Sequence, residues 1–433
     1  MKNNLIAIRN EEKKGERRTP LVPQDIQTLI KKAGLSFIVQ SSKQRIFSDQ
    51  EFAQVGAKIK SDVLEGNLII GIKEIPAKLI EKQKVYLFFS HTIKGQKYNM
   101  PLLAKIMAQK ATLIDYERIV DEKNRRLIFF GQEAGQAGLI NTLWAFGQRL
   151  KFEGIENPFF HIKQAHQYKD LQDALDSTSK VGQVLMESGF AAKLAPLVIG
   201  IAGYGHVSHG VQQILDHLPV TKISPDDLPA LFQKKSANNK TVYKVVFHEE
   251  HLVEPISKSD KFVLQDYYDH PEKYRSKFQQ YLPYLTILVN CIFWTLKYPR
   301  FVTKHDAKNL NLRLKVIGDI SCDINGAIEF TAKATTQENP VFVYNPKNDT
   351  ISDGLKGEGI AVMAIDNLPS ELPKDASRHF SNMLKKYIPD LAQANFSASF
   401  KQLKLPAELK RAIIVYQGEL TPYYKYLEEY LKL

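Results

Sequence analysis

The sequence predicts an α/β protein: two Rossmann-like domains, each with a sheet of largely parallel strands, and a cleft between them. Three observations point there. Short apolar runs of strand length alternate with amphipathic helical patterns along most of the chain. Residues 194–215, LAPLVIGIAGYGHVSHGVQQIL, read as strand, glycine turn and helix in immediate succession. The 433 residues suffice for two domains with a full core each.

The elements follow in order. Leu5–Ile8 is a first strand. Pro23–Ala33 is a helix with Ile26, Leu29 and Ile30 on its apolar side. Ser36–Gln40, Leu68–Ile72, Val85–Phe89 and Ala111–Ile114 are four further strands, and this βαβ domain ends near residue 130. Gly131–Phe152 reads as a long connecting helix. The second domain carries the glycine turn, with later strands at Val220–Ile223, Val242–Phe247, Thr286–Asn290, Leu314–Ile317 and Val341–Tyr344. Ser257–Gln280 is polar and helix-permissive. From Ala361 onward the tail reads as helical and amphipathic, anchored by Leu391, Phe396, Phe400 and Leu403, and it is expected to pack back on the first domain. The expected division is 1–132 with 350–433 as the substrate domain, and 133–349 as the dinucleotide-binding domain.

The glycine turn is the sharpest local signal. Gly203 permits the turn, and Gly205 lets the backbone approach a pyrophosphate. His206 and Val207 open the helix, whose free N–H groups suit an anion. Tyr204 lies between the glycines, and Ser208 stands where a third glycine is usual. About 20 positions past the glycines, NAD-binding units carry an acid for the ribose diol. That count leads here to Ser224, close to Lys222, although Asp226 and Asp227 follow if the strand runs on. NADP(H) is therefore expected as the cofactor, with NAD(H) as the alternative.

Composition excludes several classes. Apolar residues make up 44% and charged residues 24%, ordinary values for a globular protein. No stretch approaches the ~18 apolar residues of a membrane span, and the N-terminus turns charged too early for a signal peptide. The net charge is +12, but lysines and acids are interleaved throughout. No nucleic-acid motif is present, so the positive excess suits small anionic ligands better. Cys291 and Cys322 form no CxxC and read as small groups in a reducing cytoplasm, without a disulfide or metal role.

In the first domain, charged residues recur just past the apolar strands, where open α/β sheets bind ligands. Lys13, Glu16 and Arg18 follow the first strand, Lys73 and Glu74 the third, His91 and Lys94 the fourth, and Asp115 and Glu117 the fifth. Arg126 lies shortly beyond. A single charged residue at a strand end is ordinarily a solvated loop residue. Recurrence at successive ends makes a proton-transfer site with mutually shifted groups.

The blocks GERRTPLVP, GIKEIP, FFSHTIKGQKYNM, LIDYERIVD, RRLIFFGQEAGQAG, GYGHVSHG, GDISCDINGAIE and IDNLPSELPKDAS resemble the lysine–2-oxoglutarate reductase module of lysine degradation. That module is related to alanine dehydrogenase, to transhydrogenase and to the fungal NAD-dependent saccharopine dehydrogenase. The resemblance runs from about residue 6 to the C-terminus. It implies Lys73 and His91 as the catalytic pair, tuned by Glu74 and Glu117. It further implies Lys13, Glu16, Arg18, Lys94, Arg126 and Asp319 as substrate contacts, with Asp319 near the nicotinamide. The implied reaction condenses lysine with 2-oxoglutarate to saccharopine using NADPH. The remaining readings are the lysine-forming NAD-dependent enzyme, an alanine-dehydrogenase-like enzyme, and a catalytically silent nucleotide sensor on the same fold. A free-standing cytoplasmic reductase is expected, acting with a separate glutamate-forming saccharopine dehydrogenase and binding neither nucleic acid nor membrane.

Overall fold

The computed structural model describes residues 5–233, 238–309 and 311–432. The chain forms two units, Met1–Phe130 with Pro373–Leu433, and Gly131–Leu372. Among the described residues no helix is long and apolar enough to cross a membrane.

The first unit is built on strands β1 (Leu5–Ile8), β2 (Ser36–Gln40), β3 (Lys58–Lys60), β4 (Leu68–Ile70), β5 (Val85–Phe88) and β6 (Thr112–Asp115). They pair in parallel in the order 3-2-1-4-5-6. Ile413–Tyr416 and Glu419–Leu420 extend the sheet antiparallel beside β6. Alternate strand residues feed two cores. Ile6, Ile8 and Leu87 face one side, and Ala7, Tyr86 and Phe88 face the other, which is why these strands read as unbroken apolar runs. The Pro23–Ala33 helix starts on Pro23 and is closed by the left-handed Gly34, whose N–H bonds Ile30 O. The Pro373–Leu384 helix covers the same face with Phe380 and Leu384. Its Ser377 and Ser381 hydroxyls accept the Thr19 and Val22 amides at 3.0 Å each. Leu391, Phe396 and Leu403 are buried and Phe400 packs partly buried against the same core.

The second unit contains β7 (Leu197–Ala202), β8 (Val220–Lys222), β9 (Val242–Phe247), a two-stranded ribbon of β10 (Val253–Pro255) and β11 (Tyr274–Ser276), then β12 (Ile287–Asn290), β13 (Val316–Asp319), β14 (Val341–Asn345), β15 (Thr350–Asp353) and β16 (Ile360–Met363). The main sheet runs 8-9-7-12-13-16-14-15, parallel except at β14 and β15. The Gly131–Phe152 helix is buried along most of its length and crosses the His206–Leu215 helix on glycines. A Cβ on Gly135 would lie 1.9 Å from Val207 O, and one on Gly210 would lie 2.0 Å from Gln132 O.

Three expectations need correction. The tail is not helical from Ala361, because Ile360–Met363 is a strand beside β13. A short apolar run carries no periodicity that separates strand from helix. The second domain boundary falls at residue 372 rather than 349, since β15 and β16 complete the second sheet. Ser257–Gln280 is helical only in part, with a short helix at Leu264–Asp269, 3-10 turns at Pro271–Lys273 and Phe278–Gln280, and the strand β11 between them.

Candidate functional site

The candidate site of the first unit lies past the carboxyl ends of β1, β4, β5 and β6. The loop after β4 carries Lys73 and Glu74, and the loop after the neighbouring β5 carries His91. His91 Nδ1 is hydrogen-bonded to Glu74 Oε1 in a half-buried pair. Burial by itself would lower the His91 pKa, but the bond and charge of Glu74 and the charge of Glu117 outweigh it, so the imidazolium is favoured. Lys73 is shifted the other way. Burial, followed by the charge of Arg18, pulls its ammonium below the ordinary lysine value. The two groups thus differ in proton affinity less than free lysine and histidine do.

The remaining predicted residues divide into buried and exposed sets. Glu16 and Arg18 form a two-pronged buried pair, at 2.7 Å from Nε and 2.6 Å from Nη2. The Arg18 guanidinium lies 4.2 Å over the Phe130 ring. Burial would raise the Glu16 carboxyl, yet the Arg18 charge and hydrogen bond bring it down to about 2. Arg126 donates to Glu117 at 2.8 Å with half its side chain exposed. Lys13 and Lys94 are exposed, and Lys13 acts on Lys73 through its charge.

Two buried acids add to the site: Glu11, which the sequence reading passes over, and Asp115, which it names only among the strand-end charges. Glu11, beyond β1, accepts the backbone amides of Ile72 at 2.6 Å and Lys73 at 3.0 Å. Burial pushes it up to about 7. Asp115, the last residue of β6, accepts the Ser90 amide at 2.9 Å and the Glu117 amide at 2.8 Å. Burial, then the charge of Glu117, pushes it up to about 6. An acid within three residues of a strand end, beside a loop carrying a lysine or histidine, is the available signal.

In the second unit Gly203 adopts φ +98°, so the turn requires glycine. A Cβ on Gly205 would meet no heavy atom within 4 Å, which leaves an open approach to the start of the His206–Leu215 helix. These features fit a dinucleotide pyrophosphate. His206 and Tyr204 are exposed and Val207 is half-buried. Ser208 is fully buried, where its hydroxyl accepts Gln212 Nε2 at 3.2 Å. Ser224 lines a cavity of about 570 Å³ with Tyr204, His209, Lys222, His248 and His251. Tyr204 stacks on His248 at 4.3 Å between ring centroids. β8 ends at Lys222, and Pro225–Asp227 form a turn rather than more strand.

β7 lies between β12 and β9, and β8 pairs only with β9. The turn that follows β9, His248–Glu249–Glu250, therefore flanks the glycine loop directly. Glu249 lines a second cavity with Gly203, Gly205 and Tyr268, and it accepts the Tyr268 hydroxyl at 2.6 Å. The count of about 20 positions leads to the end of β8, which this sheet separates from β7 by β9.

Asp319 ends β13 and is fully buried. Its carboxylate accepts Asn290 Nδ2 at 2.8 Å and Thr331 Oγ1 at 2.6 Å, and burial pushes it up to about 6. Cys291 and Cys322 are free thiols that burial pushes up. Among the described residues no group of His, Cys, Asp and Glu could hold a metal ion.

Comparison with known proteins agrees with this architecture. The alanine dehydrogenase/PNT N-terminal domain matches residues 7–137 and its C-terminal domain residues 258–423, together more than half of the chain. An Arabidopsis thaliana protein named alpha-aminoadipic semialdehyde synthase is 38% identical over 98% of this chain and 41% of its own length. The chain thus spans under half of that relative. A saccharopine dehydrogenase [NAD(+), L-lysine-forming] of Emericella nidulans is 28% identical over 93% of this chain and 96% of its own. Among solved structures, an L-alanine dehydrogenase superposes with a TM-score of 0.65 at 15% identity, covering 99% of each chain, which shows a shared fold. The chain belongs to the alanine dehydrogenase/PNT family.

Proposed function

We propose that this chain is an NAD(P)-dependent oxidoreductase that condenses L-lysine with 2-oxoglutarate to saccharopine. The observation that carries the reading is the pair at adjacent strand ends, Lys73 with a lowered and His91 with a raised proton affinity. The relatives named for saccharopine chemistry support it.

The chemistry assigns the pair its work. The ε-amine of lysine must be neutral to attack the keto carbon, and Lys73 in its neutral form takes the proton. The carbinolamine oxygen leaves as water, which His91 assists as the imidazolium that Glu74 and Glu117 favour. The imine carbon then needs a hydride, which the nicotinamide supplies when bound. Arg126, half-exposed beside Glu117, and the exposed Lys13 are the cations we assign to the substrate carboxylates. Gly203, Gly205 and the following helix would hold the pyrophosphate.

For the cofactor we favour NADP(H), because Lys222, His209 and His248 line the cavity around Ser224 and suit a 2′-phosphate, against the single carboxylate of Glu250 in the same lining. The observation favouring NAD(H) is Glu249, a carboxylate beside the glycine loop. Purified protein with lysine, 2-oxoglutarate and each reduced cofactor, followed at 340 nm with mass detection of saccharopine, tests both points. Lys73→Met and His91→Gln should each lower turnover by ~10²–10⁴-fold, with cofactor binding unchanged. Cofactor binding without turnover of these substrates would support a silent sensor, and activity confined to alanine or pyruvate would overturn the substrate assignment.

A further inference from the structure

Lys73 and His91 sit on irregular loops, yet proton transfer demands fixed geometry. The two loops share one form of anchorage. Asp115 Oδ2 receives both the amide and the hydroxyl of Ser90, while Oδ1 receives the Glu117 amide. Ser90 Oγ in turn is 2.8 Å from Thr92 Oγ1 and accepts the Thr92 amide at 3.3 Å. His91 is therefore bracketed on both sides by one buried network, and its own carbonyl accepts Asn99 Nδ2 at 2.8 Å. It adopts φ +51°, a left-handed conformation that a non-glycine residue holds only when its surroundings impose it. Ser90, Thr92 and Asp115 are all fully buried, so none of them is placed to touch substrate.

The loop after β4 repeats the arrangement. Glu11, also buried, accepts the amides of Ile72 and Lys73 from the strand beside its own. Gly71, at the end of that strand, leaves room for the Arg9 side chain, since a Cβ there would lie 3.0 Å from Arg9 Cδ. In each case a carboxylate at the end of one strand holds the catalytic loop of its neighbour by backbone amides.

We propose that Asp115 and Glu11 are positioning residues that fix His91 and Lys73, respectively, in the geometry for proton transfer. The inference rests on the proposed roles of Lys73 and His91. The charged groups facing His91 are Glu74, Glu117 and Lys73, and those facing Asp115 include Glu117. Misplacing the Ser90–Thr92 loop separates His91 from Glu74 and Glu117, the two groups that favour its imidazolium.

The test uses the full chain. Asp115→Asn keeps the size and one carbonyl acceptor but turns an NH₂ toward the Ser90 amide. It should lower kcat roughly 10–100-fold with KM for each substrate and cofactor affinity nearly unchanged. The His91 ring signal, assigned by its loss in His91→Gln, should titrate at lower pH than in the parent protein. Ser90→Ala should move both readouts the same way by less, and Asp115→Glu should restore part of the rate. Glu11→Gln should shift the limb of the pH–rate profile set by Lys73 and leave the His91 titration in place. An unmoved His91 titration in both Asp115→Asn and Ser90→Ala would overturn the proposal for His91. If Asp115→Asn fails to fold, Ser90→Ala decides. An unmoved Lys73 limb in Glu11→Gln would overturn the Glu11 half. The ring titration needs no substrate, so a wrong assignment of the substrates would show in the turnover assays and leave this result standing.

Discussion

Removing Arg18 should unfold the first unit more readily, and the size of the effect follows from its partner. The Arg18 and Glu16 side chains are almost completely buried and joined by two hydrogen bonds. Arg18→Ala leaves the Glu16 carboxylate buried without its main counter-charge, a situation that typically costs about 3–5 kcal/mol. The depression of Glu16 from 4.5 to about 2 corresponds to about 3 kcal/mol in favour of the ionised form. A loss of that size lowers the melting temperature of a domain like this by about 6–12 °C. The pH dependence has a fixed sign. Because the folded pKa is depressed, the contribution is full above pH 4.5 and disappears as pH falls toward 2. The penalty of Arg18→Ala should therefore be largest near pH 7 and shrink below pH 4.5. Calorimetry is the suitable assay, since both tryptophans, Trp144 and Trp294, lie in the second unit. A double change, Glu16→Gln with Arg18→Met, should recover much of the loss. A shift under about 2 °C at pH 7, or a penalty that grows on acidification, would refute the reasoning.

Four further substitutions separate the remaining residues by their settings. Arg126→Ala removes a half-exposed pair, so stability should stay within about 1 kcal/mol, while KM for the keto acid rises ~10–100-fold in steady-state assays, as loss of a charged hydrogen bond implies. Glu249→Gln removes negative charge beside the glycine loop and should move the ratio of NADPH to NADH affinity toward NADPH. Ser224→Glu should move it toward NADH, both read by direct titration. Gly210→Ala places a Cβ 2.0 Å from Gln132 O, which forces the two helices apart. The second unit should lose about 1–3 kcal/mol or more, seen in tryptophan fluorescence on unfolding; an unchanged midpoint would mean that the crossing tolerates the displacement.

What could be read from the sequence depended on how far each feature reaches along the chain. Strands β1, β2 and β5 are continuous apolar runs bounded by polar residues, and the Pro23–Ala33 helix is framed by a proline and a glycine, so local pattern was enough. The charged residues past the strands were legible for the same reason. Their pairing was not, because the Glu74 partner of His91 is 17 positions away and the amide partners of Glu11 lie 61 and 62 positions away. Only the sheet brings them together. Arg18 shows what residue type alone leaves out. An arginine suits a substrate carboxylate, but this one is already forked onto Glu16. Strand order was the deepest gap. Val220–Ile223 and Val242–Phe247 both read as strands, and nothing local says which one lies beside β7. Since β9 does, the turn that flanks the glycine loop on that side carries His248 and Glu249 rather than Ser224. Adjacency in the sheet brings the β9 turn to the glycine loop beside the Ser224 cavity, and the opposite shifts expected of Glu249→Gln and Ser224→Glu measure the weight of each.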